Sequence, residues 1–219
     1  MEQRFTPFLD AVTLLGGGEL AAQTVSELLT LAPNLVACDG AAARALALGH
    51  VPKRVIGDLD SLDPETRAAL DPDTVFVMAE QENTDFDKAL RTTEAPLILG
   101  AGFMGGRLDH ELACYNALVR RPDKRCILVG VSDICFHAPG PVALDLAPGT
   151  RVSLFPMAAV AVSATGLEWP LDRLALAPWG RVGTSNRATA ARVEISPAGV
   201  GLLVILPRAA LGAAIAALG

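Results

Sequence analysis

Asp58 and Asp60 stand one residue apart, directly after Val55, Ile56 and Gly57. The apolar pair reads as the end of a buried strand, and Gly57 lets the backbone turn. If the chain stays extended there, positions 58 and 60 point to one side with α-carbons roughly 6–7 Å apart. Two carboxylates that close repel unless a positive charge lies between them. The carboxyl edge of an α/β sheet is where ligands bind. A hard cation such as Mg²⁺, which takes oxygen ligands and substrate phosphates, suits the pair; a solvated turn whose aspartates cap the next helix is the plainer reading.

Other reactive residues follow predicted strands in the same way. Asp39-Gly40 follows a strand at 35–38, and Thr84-Asp85 follows one at 75–78 after a short loop. Gly102, Gly105, Gly106 and Arg107 follow a strand at 97–99. In a parallel sheet these ends share one edge, so separate sequence positions converge. The glycines let backbone N–H groups approach phosphate oxygens, and Arg107 can grip a phosphate with two donors. The spacing is not that of a Walker A loop. Asp109 is either a helix cap or part of the site. His110 is a general base, a phosphate contact or a structural histidine. Lys88, three residues after Asp85, shares its helix face and either forms a surface pair or reaches a phosphate. His50 and His137 lack partners at ligand spacing and read as structural or surface residues.

The elements that must position these groups alternate. Strands are predicted at 11–15, 35–38, 54–56, 75–78, 97–99 and 126–129, with helices at 19–31, 41–48, from 64, from 84 or 85 to 91, and 109–120. Asp63-Pro64-Glu65 is a strong helix start. Such alternation predicts a mostly parallel sheet with helices on both faces. After about residue 131 short alternating apolar segments appear, at 142–146, 152–155, 159–163, 192–195 and 202–206, separated by Pro-Gly and Gly turns. That pattern predicts an antiparallel sandwich or small barrel. Residues 183–186, Gly-Thr-Ser-Asn, read as a polar turn, and 209–218 as a terminal helix packed on a neighbour. The expected organisation is an α/β domain over 1–136 and a β-domain over 137–219.

Bulk composition narrows the partners. A net charge of −6 over 219 residues argues against a general nucleic-acid binder. Four scattered cysteines without CxxC spacing read as core residues of a reducing compartment. Residues 1–12 lack the basic-then-apolar pattern of a signal peptide, and no apolar run reaches spanning length. A cytoplasmic protein with no membrane association is expected.

Taken together, Cys38-Asp39-Gly40-Ala41, Gly57-Asp58-Leu59-Asp60-Ser61, Thr84-Asp85-Phe86-Asp87-Lys88-Ala89, Gly105-Gly106-Arg107-Leu108-Asp109-His110 and Gly183-Thr184-Ser185-Asn186 resemble the thiamine pyrophosphokinase (thiamine diphosphokinase) family, in the family's order. The stretch after Asp39 departs from it, with Gly-Ala-Ala where relatives commonly have a doubled glycine. The resemblance implies an N-terminal Rossmann-like three-layer α/β domain and a C-terminal antiparallel β-sandwich. It implies transfer of the pyrophosphoryl group of ATP to the hydroxyethyl oxygen of thiamine, giving thiamine diphosphate and AMP. By that analogy Asp58, Asp60 and Asp85 hold Mg²⁺, with Asp39 a further metal contact or a base. Gly40, Lys88, Gly102, Gly105, Gly106, Arg107, Asp109 and His110 form the ATP phosphate and nucleotide side. Gln81, Thr84, Trp179, Ser185 and Asn186 form the thiamine side, in a homodimer whose sites lie at the subunit interface. Competing readings are a pyrophosphokinase acting on a hydroxymethyl pterin, a non-catalytic thiamine or nucleotide sensor, and a metal phosphohydrolase.

Overall fold

The computed structural model describes residues 5–219. The chain divides into two compact units, Met1–Ala117 and Leu118–Gly219.

The first unit holds strands β1 (Val12–Leu15), β2 (Asn34–Cys38), β3 (Arg54–Gly57), β4 (Val75–Val77) and β5 (Ile98–Ala101). Their order is β5-β1-β2-β3-β4, and every pairing is parallel. β1, β2 and β5 are buried along their whole length, as strands covered on both faces must be. Helices α1 (Ala22–Leu31), α2 (Ala41–Ala47), α3 (Pro64–Ala68), α4 (Asp85–Thr92) and α5 (Leu108–Arg120) fill the connections. The unit boundary falls inside α5.

Local chemistry sets the helix starts. The Asp63 carboxylate accepts the Thr66 backbone N–H at 2.8 Å, with Pro64 in the first turn. Thr84 Oγ1 accepts the Asp87 N–H at 3.3 Å and opens α4. The helix at 19–31 starts later than its apolar spacing implied, at Ala22, with no side-chain cap.

The order β5-β1-β2-β3-β4 reverses direction at β1. The chain winds outward from β1 to β4, then returns to lay β5 on the other side. Loops after β1 and β5 therefore part at a switch point, where open α/β sheets hold ligands.

The second unit contains β6 (Cys126–Val129), β7 (Asp133–Ala138), β8 (Val142–Asp145), β9 (Arg151–Pro156), β10 (Val160–Thr165), β11 (Leu171–Leu176), β12 (Gly183–Arg187), β13 (Arg192–Pro197) and β14 (Leu202–Pro207). They pair antiparallel in two groups, β12-β9-β14-β7-β6 and β11-β10-β13-β8. β13 alternates exposed and buried along its length, the pattern of a strand with one wet face. The expected antiparallel β part is thus present as two sheets. Its strand count exceeds the sequence reading, because β7, β11 and β12 gave no clear alternation.

One expectation is corrected here. Residues 183–186 are not a turn but belong to β12, an edge strand whose register with β9 shifts between Gly183 and Asn186. Ser185 takes a left-handed φ of 63° at that irregularity, which is why the segment reads as turn-like. The terminal helix α6 (Leu211–Leu218) packs on β8 and β6 of its own unit, with Leu211 and Ala214 buried. Among the described residues no helix is long and apolar enough to cross a membrane.

Candidate active site

Asp39 is the most constrained carboxylate. It follows β2, takes a left-handed φ of 44°, and is only 5% exposed. Its N–H donates to Ile56 O at 3.0 Å, extending the β2–β3 ladder by one residue. A Cβ on Gly57 would stand 2.9 Å from the Asp39 Cβ, so glycine at 57 is what admits this carboxylate. Ser61 donates to Asp39 Oδ2 through both its hydroxyl and its N–H, the latter at 3.4 Å. Asp39 Oδ1 is buried and accepts no hydrogen bond among the described residues.

Asp58 and Asp60 do not converge by strand alternation. Leu59 between them has φ 64°, so the chain turns rather than staying extended. A β-carbon-bearing residue held there costs about 1–3 kcal/mol, strain of the kind found at ligand sites. The turn lets the Asp60 N–H point at Asp58 Oδ1, 3.4 Å away. Asp39, Asp58 and Asp60 each place a carboxylate oxygen within 4.8 Å of the others. This set includes Asp39 and leaves Asp85 outside, whereas the resemblance implied Asp58, Asp60 and Asp85 with Asp39 as a further metal contact or a base.

Lys88 explains the place of Asp85. Its Nζ lies 3.0 Å from Asp85 Oδ1 and 3.9 Å from Asp58 Oδ2. The side chain is 2% exposed, so this is a buried cation shared by two carboxylates rather than a surface pair. Gln81 Nε2 donates to Asp58 Oδ2 at 3.1 Å. Burial pushes the Asp58 carboxyl up, but the Asp60 N–H, the Gln81 amide and the Lys88 charge outweigh it and hold it below the ordinary value. The Asp60 carboxyl is raised, chiefly by the charge of Asp58.

The glycine loop follows β5. Gly102, Gly105 and Gly106 all have φ near +80°, open to glycine and strained for other residues. Gly16 and Gly102 touch backbone to backbone: a Cβ on Gly102 would stand 2.5 Å from Gly16 O. Gly18 N–H donates to Gly102 O at 2.9 Å, so the loops after β1 and β5 are stitched together at the switch point. Gly105 N–H donates to Glu111 Oε2 at 2.9 Å, and Tyr115 holds the other Glu111 oxygen at 2.6 Å. Arg107 grips Asp109 with two donors, at 3.2 and 2.6 Å. That contact holds the Asp109 carboxyl down to about 2.

These groups surround one cleft of about 870 Å³. Asp39, Gly40, Asp58, Gln81, Thr84, Asp85, Lys88, Gly102, Gly105, Gly106, Arg107 and His110 all line it; Asp60 and Asp109 do not. The lining also takes in residues 16–18, Glu19, Arg44, Ser61 and Phe103, which sequence reasoning did not single out. The triple glycine after β1 carries a signal, since glycine lets a loop backbone approach a ligand or a second loop closely. Arg44 carried none, since one arginine in an Ala-rich helix looks like a solvated residue.

Trp179, Ser185 and Asn186 belong to the second unit. Trp179 is 80% exposed. Ser185 N–H donates to Ser153 Oγ at 3.0 Å. Asn186 is buried, and its amide clasps the backbone of Trp169, donating to Trp169 O at 2.7 Å and accepting from Trp169 N at 3.2 Å. His137 is buried and its Nε2 accepts the Gly201 N–H at 3.0 Å, a structural role.

Comparison with known proteins gives the same two parts in the same order. Residues 25–129 match the family model for the thiamin pyrophosphokinase catalytic domain, and residues 142–198 that for the thiamin pyrophosphokinase vitamin B1 binding domain. Thiamine pyrophosphokinase 1 of Oryza sativa subsp. japonica is 29% identical over 166 residues, which cover 67% of this chain and 63% of the relative. The chain thus spans less than two thirds of the length of that curated relative. The crystal structure of thiamin pyrophosphokinase from Geobacillus thermodenitrificans superposes with a TM-score of 0.73 at 25% identity, covering 90% of this chain and 96% of that one. The thiamin pyrophosphokinase from Candida albicans has a TM-score of 0.77 at 16% identity, covering 91% and 89%, and so shares the fold. With one family's two domain models matched in sequence over most of its length, the chain belongs to the thiamin pyrophosphokinase family.

Proposed function

We propose that this protein is a thiamine pyrophosphokinase, which converts ATP and thiamine to thiamine diphosphate and AMP. The observation that carries the reading is the meeting of Asp39, Asp58 and Asp60 at the carboxyl edge of the parallel sheet, where Asp39 and Asp58 line the same cleft as the stitched glycine loops. Asp39, a member of that trio, has a buried carboxylate oxygen, Oδ1, with no hydrogen-bond partner among the described residues. A buried acceptor is rarely left unsatisfied, so the donor set fits a cation. Asp39, Asp58 and Asp60 would hold Mg²⁺, with Asp85 beside them through the oxygen Lys88 does not take. Mg²⁺ there supplies neutralisation of charge on the ATP phosphates.

The protein's own residues do the positioning. The hydroxyl oxygen of thiamine attacks the β-phosphorus, the bond from that phosphorus to the oxygen bridging the α-phosphate breaks, and AMP leaves with the bonding pair. The hydroxyl proton passes to a carboxylate of the acidic group. Such transfer depends mostly on alignment and charge. Gly40, Gly102, Gly105 and Gly106 let the backbone approach the phosphates, and Arg107 and His110 stand on the same wall. Asp109 orients Arg107 through its two-point contact. Lys88 keeps Asp85 and Asp58 together and lowers the charge facing ATP. Gln81 and Thr84 lie on the thiamine side. Ser185 of the partner subunit and Asn186 of the partner subunit would hydrogen-bond thiamine, and Trp179 would pack on it, in a homodimeric cytoplasmic enzyme.

The test is AMP release from ATP and Mg²⁺ with and without thiamine, with the product identified by mass. Thiamine-dependent AMP and a diphosphorylated thiamine are expected. Folded protein that releases AMP only with a hydroxymethyl pterin, or phosphate without any acceptor, rejects the reading.

A further inference from the structure

We propose that Arg44 is a phosphate-binding residue of the ATP site, a role that rests on the pyrophosphokinase reading above. Three strongly basic side chains line the cleft: Arg44, Lys88 and Arg107. Two of them already face a carboxylate partner. Lys88 lies between Asp85 and Asp58, at 3.0 and 3.9 Å. Arg107 is clamped by Asp109 at 2.6 Å. Among the described residues Arg44 has no ion pair, and its one hydrogen bond goes from Nη1 to the neutral carbonyl of Gly18, at 2.5 Å.

The consequence follows from charge. Glu19, Asp39, Asp58 and Asp85 also line this cleft, so an ATP polyanion enters an acidic site. To use Lys88 or Arg107 fully, a phosphate must compete with a carboxylate already in place. At Arg44 it competes, among the described residues, with the neutral Gly18 carbonyl alone. A guanidinium has five donors in a fixed fork, and one is committed to Gly18, which leaves a free edge for phosphate oxygens.

The Gly18 contact also places the charge. Gly18 donates its own N–H to Gly102 O at 2.9 Å, so Arg44 is anchored to the paired loops at the sheet's switch point. There the glycine backbone leaves room for a ligand: a Cβ on Gly17 or Gly106 would meet nothing within 4 Å. The side chain is thereby ordered before ATP arrives, which lowers the entropy lost on binding.

A loop tether alone is the competing role, and substitution separates the two. Arg44→Gln keeps a donor for the Gly18 carbonyl and removes the charge; Arg44→Lys keeps the charge and loses the fork. ATP binding in the presence of Mg²⁺ is measured directly by calorimetry, alongside tripolyphosphate as a probe without a nucleoside. Arg44→Gln is expected to weaken both by about 10- to 100-fold, with thiamine KM within about twofold and an unchanged melting temperature. Arg44→Lys is expected to recover part of the loss. Wild-type ATP and tripolyphosphate affinity in Arg44→Gln would overturn the assignment in favour of the tether. If Arg44→Gln does not fold, Arg44→Lys decides: ATP affinity about 3- to 10-fold weaker supports the role, and unchanged affinity rejects it. Wild-type protein that binds ATP yet makes no thiamine diphosphate would fail the pyrophosphokinase reading, while the affinity comparison would still judge Arg44.

Discussion

A Cβ placed on Gly57 would stand 2.9 Å from the Cβ of Asp39, so these two residues, on neighbouring strand ends, fit only because one lacks a side chain. Gly57→Ala must push Asp39 aside, and overpacking of this kind costs about 1–3 kcal/mol. We expect a melting temperature lower by several degrees and turnover reduced at least about tenfold, because the acidic trio loses its spacing. Thermal unfolding and steady-state rates on one preparation check both; unchanged turnover rejects the dependence of the trio on Gly57.

Removing the charge of Asp58 or Asp60 tests the cation site itself. Asp58→Asn and Asp60→Asn are expected to lower turnover by orders of magnitude with a melting temperature within about 2 °C of wild type, since neither carboxylate supports the core. EDTA should abolish AMP formation and excess Mg²⁺ restore it. Near-normal rates in either variant would exclude the proposed ligand set.

Lys88 joins stability to function. Lys88→Met leaves Asp85 and Asp58 facing each other without their shared cation. Both carboxylates reach solvent, so the loss is expected at about 1–3 kcal/mol, short of a fully buried pair. Asp85→Asn in the Lys88→Met background should recover part of it. A double variant no more stable than Lys88→Met would show that the charge pairing is not what Lys88 contributes.

His137 sets a pH dependence in the second unit. Burial lowers its tendency to take a proton below the ordinary value of 6.5. Its Nε2 must stay unprotonated to accept the Gly201 N–H. The unfolded chain therefore binds the proton first as pH falls below about 6.5, and stability declines from there downward. Melting temperatures between pH 7.5 and 5 should show this slope in wild type and a smaller one in His137→Gln. Equal slopes would remove His137 from the account.

Cys114 lies in the cleft wall, and burial pushes its thiol up to about 12. The reactive thiolate is then scarce at pH 8. Iodoacetamide should label Cys114 in the folded protein far more slowly than in urea, as read by mass spectrometry. Equal labelling rates would show that the wall is not closed around it.

Several of these features were legible before folding was considered. The glycine-bounded apolar runs marked β1, β3 and β5, and Asp63-Pro64 and Thr84 marked helix starts, because capping and turn chemistry act between near neighbours. β12 was not legible. Its polar residues tolerate an edge position, and its left-handed Ser185 imitates a turn. Arg44 was not legible either, because its meaning depends on Gly18, 26 residues away.

The sequence by itself determined the alternation of the first unit, the antiparallel character of the second, and which acidic and glycine residues stand at strand ends. These depend on side-chain periodicity and local turn chemistry, both written in consecutive residues. The tertiary structure alone decided that Asp39 rather than Asp85 joins Asp58 and Asp60, that Lys88 is buried between two carboxylates, and that Arg44 has no ion pair among the described residues. Those outcomes depend on strand order and on left-handed backbone at Asp39 and Leu59. Local preference opposes that backbone geometry, and only contacts between distant segments hold it in place.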